Sequence, residues 1–259
     1  MSIVLNEHEW AKEMIDARKL GKKPFETLTR VTKYYLDKGY SKKDARKATE
    51  QFIMQCDPST SLPKWIETLD YAMTRALKYD AIQIDGIDIT SKEIEKIDSL
   101  SGKQLRRLAF TLLCLAKYWD TINPACDHWV NNKDSDIMRM ANINTSIKRQ
   151  SLMYYYLNEA DMVQFSKRVD NTNVRVNFIE DGDIALTITD FRNLGYQYLK
   201  YHGEPYFECK NCGLITKMND PYKGAKQKYC KECASEIATR QRINSVMRQR
   251  DKLKSHNIS

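Results

Sequence analysis

Apolar residues recur every three to four positions through most of this chain, a spacing that predicts a mainly helical protein. The most apolar segment, residues 105–119, is expected to form the central helix of a hydrophobic core. Four more helices are predicted in the first third of the chain, and the last of them is amphipathic. They are expected to begin at Asn6, Pro24, Ser41 and residue 62, and to end at Leu20, Gly39, the 57–61 loop and Tyr79, respectively.

Alternation of apolar and polar residues is confined to short stretches, which predicts small β elements. Residues 82–84 and 87–89 flank Asp85-Gly86, a strong hairpin signal, and are read as a connector. An acidic metal site at Asp85 and Asp88 is the less favoured interpretation of these residues. Residues 184–188 predict a further strand, followed by a helix at 190–201.

The middle of the chain predicts two helices followed by two strands. A short helix at residues 134–141 and a polar turn at 142–146 precede a helix at 147–159, whose Ile147, Tyr154 and Leu157 are spaced to face inward. Alternation then predicts strands within 162–168 and 174–179, joined by a polar turn at 170–173.

Four cysteines near the end of the chain form two Cys-x-x-Cys pairs, Cys209 with Cys212 and Cys230 with Cys233, separated by 17 residues. Two such pairs complete the tetrahedral thiolate shell that structural zinc favours, so we expect one Zn²⁺ ion. A closed shell leaves no ligand position for water, and the metal is therefore expected to stabilise a small fold. A disulfide framework is the alternative, and it would require an oxidising compartment.

The residues around the cysteines predict the build of this zinc module. Gly213 follows the first pair, as a knuckle turn with left-handed backbone needs, and the second pair opens a stretch of helical propensity. Residues 214–218 and 226–229 flank a turn-forming segment at 220–224, which predicts a short hairpin. Knuckle, hairpin and ligand-bearing helix resemble a treble-clef zinc finger.

Residues 92–180 resemble a winged helix-turn-helix domain, because helix, short helix, turn, helix and a two-stranded wing follow one another. The stretch Leu-Asn-Glu-Ala-Asp-Met-Val at 157–163 matches that family's passage from recognition helix to wing, with Asp161 where many members have Gly. Asp tolerates left-handed backbone at modest cost. The resemblance implies that the helix at 147–159 enters the major groove of DNA. A winged helix that only docks protein is the alternative.

The same resemblance implies which residues contact DNA. Arg149 can form a bidentate pair with guanine, Lys148 can reach phosphate or guanine, and Gln150 is a further candidate. Cations beside the wing tip would meet the backbone or the minor groove. The expected nucleic-acid-binding residues are Asn144, Thr145, Ser146, Lys148, Arg149, Lys167, Arg168 and Arg175, together with Arg240, Arg242, Arg248 and Arg250 of the C-terminal tail.

Positive charge is concentrated at the C-terminal end. The formal net charge is +8, and from Lys217 onwards eleven Lys or Arg oppose four Asp or Glu. Residues 240–254 favour a helix whose basic side chains point nearly all round. This basic segment has two interpretations: it is a solvated terminus, or it is a helix that contacts nucleic-acid phosphates.

No catalytic, membrane or export pattern stands out. Gly-x-Gly-x-x-Gly, Gly-x-x-x-x-Gly-Lys-Ser/Thr and Gly-x-Ser-x-Gly are missing, and the four histidines have no spacing that pairs them with a nucleophile or metal motif, so we do not expect an enzyme. No stretch approaches the roughly 18 apolar residues of a membrane span, and the first residues lack a secretory signal. We expect a soluble, cytoplasmic protein of a bacterial cell.

Most of the chain resembles a family of bacteriophage and mobile-element proteins from Gram-positive gut bacteria, on residues 107–117, 141–150 and 189–195. A mobile-element origin favours a replication or transcription factor or an inhibitor of host defence. The leading hypothesis is double-stranded DNA binding, in transcription regulation or replication initiation, by the winged helix and the zinc-anchored basic helix. The alternative is a phage-encoded inhibitor of a host defence nuclease, of the anti-CRISPR type, that binds a protein or ribonucleoprotein. The expected fold is mainly α with small β elements: a helical module (1–80), a β connector (81–91), a winged helix-turn-helix domain (92–180), a strand-helix connector (181–205) and a treble-clef-like zinc finger with a basic C-terminal helix (206–259).

Overall fold

A computed structural model of the chain describes residues 3–167, 173–219 and 227–256, with backbone only for 249–256. It is mainly helical with small sheets, as the sequence predicts. Two compact units divide the chain: unit 1 comprises Met1–Ile87 and Thr187–Asp190, and unit 2 comprises Asp88–Leu186 and Phe191–Ser259. Among the described residues, no helix combines the length and apolar character that a membrane crossing requires.

Unit 1 is built on four helices packed around one apolar core. The core includes the buried side chains of Leu28, Val31, Phe52, Ile53 and Leu69. The predicted caps form, since the Asn6 side chain accepts hydrogen bonds from two amides of the first turn and the Ser41 side chain accepts one. The helices are α1 (Glu7–Asp16), α2 (Pro24–Asp37), α3 (Lys42–Cys56) and α4 (Ile66–Lys78), with a 3-10 turn at Leu62–Trp65 before α4.

Two sequence predictions for unit 1 are wrong. Helix α1 ends at Asp16 rather than Leu20, because Arg18 adopts left-handed backbone (φ 50°) and the Lys19 amide donates to the Met14 carbonyl. The hairpin around Asp85-Gly86 does not form. Residues 82–84 instead lie beside the start of α1, where the Ile84 amide donates to the Leu5 carbonyl at 2.9 Å.

Unit 2 is organised around one long helix. Its elements are β1 (Ile87–Thr90, beginning in unit 1), α5 (Ser91–Asp98), α6 (Lys103–Ile122), β2 (Trp129–Val130), α7 (Asp134–Met140), α8 (Ile147–Glu159), β3 (Val163–Phe165), β4 (Val174–Val176), β5 (Ile184–Ile188, ending in unit 1), α9 (Leu194–Tyr201), β6 (Tyr206–Glu208), β7 (Ile215–Lys217) and α10 (Lys231–His256). Helix α6 buries eleven side chains and contacts α5, α7, α8 and α9. It is the central helix that the sequence predicts.

A three-stranded antiparallel sheet lies against α6, with strand order β2-β4-β3. Trp129 pairs with Arg175 across β2 and β4, and Val163 pairs with Val176 across β3 and β4. The predicted strands at 162–168 and 174–179 are therefore present in shortened form, and β2 was not predicted. Asp161 has left-handed backbone (φ 55°), as its place before the first strand requires. Most of the turn predicted at 170–173 lies outside the described residues.

Helix α8 has the predicted bounds, but one of its three predicted core residues is exposed. Tyr154 and Leu157 are buried, together with Met153. Ile147 is 81 % exposed. It shares the face of Tyr154, seven residues further on, but the first turn of α8 extends beyond the core, and its neighbours Ser146 and Lys148 are exposed as well. The prediction that Ile147 faces inward is therefore wrong.

The strand pairing near the cysteines also differs from the prediction. Strand β7 pairs with β6, which precedes the first cysteine pair, and the register joins Tyr206 to Lys217. The predicted partner at 226–229 is not a strand in its described part, 227–229, and the turn predicted at 220–224 lies outside the described residues. The knuckle itself closes the hairpin.

Candidate metal centre and nucleic-acid interface

The four predicted metal ligands come together at one end of unit 2. One sulfur atom from each of Cys209, Cys212, Cys230 and Cys233 lies within 4.8 Å of the other three, and all but Cys212 are buried. Cys209 and Cys212 lie in the turn between β6 and β7. Cys230 directly precedes α10, and Cys233 lies in its first turn. Four converging thiols at one point are consistent with a metal site.

Backbone and side-chain amides are aimed at these sulfur atoms. The Cys230 amide donates to Cys209 Sγ at 3.3 Å, and Asn211 Nδ2 donates to Cys233 Sγ at 3.3 Å. Burial works against ionisation of Cys209, but hydrogen bonds from the backbone amides of Cys230, Asn211 and Cys212 outweigh it and lower the pKa of this thiol to about 6. Burial and hydrogen bonds with the other three thiols raise the pKa of Cys212 to about 12. A bound cation would therefore be needed to hold all four sulfur atoms as thiolates.

The knuckle requires the left-handed turn that the sequence predicts. Gly213 has φ 70°, and its amide donates to the Cys209 carbonyl at 2.9 Å. The remaining cysteines, Cys56, Cys114 and Cys126, do not join the cluster. Cys114 is buried in α6, where burial raises the pKa of its thiol.

The cysteine knuckle is hydrogen-bonded to the segment before α9. Arg192 Nη2 donates to the Cys212 carbonyl at 2.6 Å, and Asn193 Nδ2 donates to the Ile215 carbonyl at 2.9 Å. Asn193 adopts left-handed backbone (φ 53°), and α9 therefore begins at Leu194 rather than at residue 190 as predicted. This contact was not expected from the sequence.

The same segment holds the turn between α7 and α8. Asn142 Nδ2 donates to Asn193 Oδ1 at 2.9 Å, and the Tyr196 amide donates to Asn142 Oδ1 at 3.1 Å. Gly195 permits this approach, because a Cβ there would lie 2.0 Å from the Ala141 carbonyl oxygen. The turn that leads into α8 is thus connected through Asn142 and Asn193 to the hairpin that carries Cys209 and Cys212.

The predicted DNA-reading residues lie together at the start of α8. Asn144, Ser146, Lys148 and Arg149 are exposed, and Thr145 is half-buried. The Ser146 side chain caps α8 by accepting from the Arg149 amide. Gln150 is less available, since its Nε2 donates to the Thr145 carbonyl at 3.0 Å. Neither Lys148 nor Arg149 has an ion pair within the described residues.

The predicted wing cations differ in their surroundings. Lys167 is exposed just after β3, whereas Arg168 lies outside the described residues. Arg175 is held by Asp127, with Nη2 to Oδ1 at 2.9 Å and Nε to Oδ2 at 3.1 Å. This hydrogen bonding lowers the pKa of Asp127. A phosphate would have to compete with Asp127 for Arg175.

Helix α10 presents the predicted tail cations without packing against the core. Arg240, Arg242 and Arg248 are exposed, and the side chain of Arg250 lies outside the described residues. Up to residue 248, the one buried residue of α10 is Cys233. The sequence analysis missed a small apolar stripe on this helix: Ile243, Val246 and Met247 are all about half exposed.

Sequence reasoning also missed the apolar and aromatic surface of α8. Leu152, Tyr155 and Tyr156 are each about half exposed, and they line a cleft of ≈ 950 Å³ between α8 and the start of α6. The signal was present in the run Tyr154-Tyr155-Tyr156, because one face of a helix cannot bury three consecutive residues. The cleft itself could not be foreseen, since its walls lie more than 40 residues apart in sequence.

Comparisons with models of protein families, with curated proteins and with solved structures found no match to this chain. Function must therefore be argued from the residues themselves. The described residues bring four potential metal ligands together, and they place the cationic start of α8 next to an open cleft.

Proposed function

We propose that this is a double-stranded DNA-binding protein of a phage or mobile element, acting in the bacterial cytoplasm, in which α8 reads the major groove and α10 adds phosphate contacts. The observation that carries the proposal is the order α6, β2, α7, α8, β3, β4, with one sheet made of β2, β4 and β3. Helix, strand, helix, helix and two strands is the arrangement expected of a winged helix domain. In such a domain α8 is the recognition helix.

The start of α8 has the chemistry that groove reading requires. The major groove is about 12 Å wide and admits one helix. Asn144, Lys148 and Arg149 project from the first turn or just before it, where the helix dipole also favours nearby phosphates. Arg149 can pair with guanine O6 and N7, and Lys148 can reach guanine or phosphate.

The exposed Ile147 also has a role in this proposal. An isolated exposed Ile is common on protein surfaces, but here it lies at the helix start that would meet the base edges. The apolar group that standard bases present in the major groove is the thymine methyl. Ile147 therefore favours a thymine next to the position that Arg149 reads.

Helix α10 supplies charge without sequence information. Its exposed Arg240, Arg242 and Arg248 can contact phosphates, which fix position and raise affinity but do not distinguish bases. Because α10 is held at its first turn by the cysteine cluster, the metal would determine where these charges lie.

We propose one structural Zn²⁺ ion at the cysteine cluster. A Zn–S distance of about 2.3 Å in a tetrahedron places sulfur atoms about 3.8 Å apart, and Cys212 Sγ lies 3.8 Å from Cys230 Sγ. A disulfide would need about 2.05 Å. Four thiolates leave no open position for a substrate, and the ion would have a structural role.

A titration of fluorescent mixed-sequence duplex DNA tests the proposed function. We expect binding at low salt, with an affinity that falls steeply as salt rises because phosphate contacts release counterions. Protein that carries its full metal content but shows no duplex binding at low ionic strength would contradict the proposal.

A second function has one observation in its favour. Leu152, Tyr155 and Tyr156 are each about half exposed on α8 and have no role in the proposed groove contacts, and aromatic residues are enriched at protein interfaces. An effector of the anti-CRISPR type, which binds a host nuclease or its ribonucleoprotein, would use these side chains. Affinity capture from host lysate, with and without nuclease treatment, separates the two: capture of one protein target after nuclease treatment favours the effector.

A further inference from the structure

The cleft beside α8 has one cationic side and one aromatic side. Its volume of ≈ 950 Å³ lies within the range of small-molecule sites. One wall is the start of α6, residues 101–105, and the other is the exposed side of α8. We call it the α6–α8 cleft.

The cationic side of the α6–α8 cleft lacks acidic partners. Lys148 and Arg149 line it, and no Asp or Glu belongs to the lining. A third lining cation, Lys103, is paired with Glu204 at 2.8 Å and contributes less. The cleft therefore complements a ligand that carries negative charge.

The start of α6 adds to this potential. Gly102 precedes the helix with left-handed backbone (φ 91°) and provides no side-chain cap. The first backbone amides of a helix have no partner within the helix, and the helix dipole is positive at this end. The start of α6 therefore adds a smaller positive potential to the charges of Lys148 and Arg149.

The aromatic side is formed by Tyr155 and Tyr156, each 50 % exposed, with ring centroids 6.1 Å apart. Leu152 lies beside them and is 46 % exposed. Exposed rings next to Lys and Arg are the pairing by which proteins bind unpaired strands, because each nucleotide offers a flat base and a phosphate. A fully paired duplex cannot offer both, since its bases are stacked inside.

We infer that the α6–α8 cleft binds an unpaired nucleotide of a DNA strand, with the base against Tyr155 or Tyr156 and the phosphate near Lys148, which leaves Arg149 for the guanine of the duplex. The inference rests on the proposed DNA binding and extends it from duplex sites to junctions between paired and unpaired DNA. A protein with this property recognises opened duplex, as replication initiation requires. It would bind the duplex at the start of α8 and the unpaired strand in the α6–α8 cleft.

The experiment compares two DNAs that share one duplex sequence, one fully paired and one with an unpaired stretch of about five nucleotides at its end. Wild-type protein is expected to bind the junction about 5- to 150-fold more tightly than the paired duplex. This range corresponds to the stacking of one base on an aromatic side chain. Tyr155→Leu with Tyr156→Leu should abolish that preference and leave affinity for the paired duplex unchanged. Tyr155→Phe with Tyr156→Phe keeps the rings and should retain the preference.

The matched control is Tyr71→Leu, which removes an exposed tyrosine (62 % exposed) from α4 of unit 1 and should change neither affinity. Thermal melts of every variant verify folding. A competing deoxynucleoside monophosphate distinguishes the source of the nucleotide: competition at micromolar concentration would mean that a free nucleotide is the ligand and would overturn the strand assignment.

Other outcomes separate this inference from the proposed function. Equal wild-type affinity for paired and junction DNA overturns the inference and leaves duplex binding standing. A double Leu variant that loses affinity equally for both DNAs places the tyrosines on the duplex, and this also overturns it. No binding to either DNA overturns both the inference and the proposed function.

Discussion

Helices α8 and α10 both present exposed cations, but they are held in place in different ways. Helix α8 buries Met153, Tyr154 and Leu157 in the core of unit 2. Helix α10 buries only Cys233 among its residues up to 248. A side chain on α8 therefore keeps a fixed position relative to the fold, as base recognition demands. In the proposed DNA complex, a side chain on α10 would only bring charge near a phosphate.

The two helices also depend differently on the metal centre. The four cysteines join the start of α10 to the β6–β7 hairpin, so loss of the proposed metal ion would remove what holds α10. Helix α8 would lose only the indirect support that runs through Asn193 and Asn142. The variants below compare α8, which the core of unit 2 holds, with α10, which the cysteine cluster holds.

The largest effect is expected from Cys230→Ser. The variant should lose its metal, about one ion per chain, and the helical signal of α10, because three thiolates no longer close the shell. Elemental analysis and circular dichroism measure the two losses. Cys126→Ser, which changes a half-buried cysteine outside the cluster, is the control. Full metal content in Cys230→Ser would refute the four-thiolate site.

Removal of residues 240–259 should weaken duplex binding to a similar extent for every sequence, because phosphate contacts carry no base information. The logarithmic slope of affinity against salt should flatten by about 0.9 for each phosphate that the truncated chain no longer neutralises. Titrations across salt concentrations measure both effects. The metal content must match that of the full chain. Equal slopes would show that α10 is a solvated end or a protein-docking element.

Arg149→Ala should weaken binding to a preferred duplex by about 1 to 3 kcal/mol and relax the base preference at one position. Lys47→Ala removes one exposed charge from α3 of unit 1 and is the matched control. Competition titrations with single-base variants of the site provide the readout. Equal losses for Arg149→Ala and Lys47→Ala would mean that α8 contributes charge alone.

The smallest effect concerns Ile147. Replacing the contacted thymine with uracil removes one methyl group and should weaken wild-type binding about fourfold, from about 0.8 kcal/mol of apolar burial. Ile147→Ala protein should not respond to that replacement. Ile243→Ala, which shortens a half-exposed side chain on α10, should respond as wild type does. If the replacement of thymine with uracil weakens binding of Ile147→Ala as much as that of wild type, Ile147 does not contact the thymine methyl.

Elements set by local signals could be predicted from the sequence. Helix α8 has the predicted limits because Ser146 caps its start, and β5 has the predicted residues because the polar residues Asp183 and Thr189 flank this mostly apolar stretch. The four cysteines of the candidate metal centre could be identified from their spacing alone, since each Cys-x-x-Cys pair is a local turn.

Features that depend on contacts distant in sequence could not be predicted. Strand β2 has two residues, too few for a periodic signal, and is defined by its pairing with β4. The link from Asn193 to Asn142 joins residues 51 apart, and no pattern in either segment indicates it. Ile147 has the spacing of a core residue, but spacing does not reveal where the core ends.

The central claim is that α8 distinguishes DNA sequences while α10 does not. Selection from a randomised duplex pool, carried out in parallel with wild-type protein, Arg149→Ala and the chain truncated after Thr239, tests it most directly. The account predicts an enriched site with a guanine in wild type, the same site in the truncated chain, and loss of the guanine in Arg149→Ala. No enriched site in wild type, or an identical site in wild type and Arg149→Ala, would contradict it.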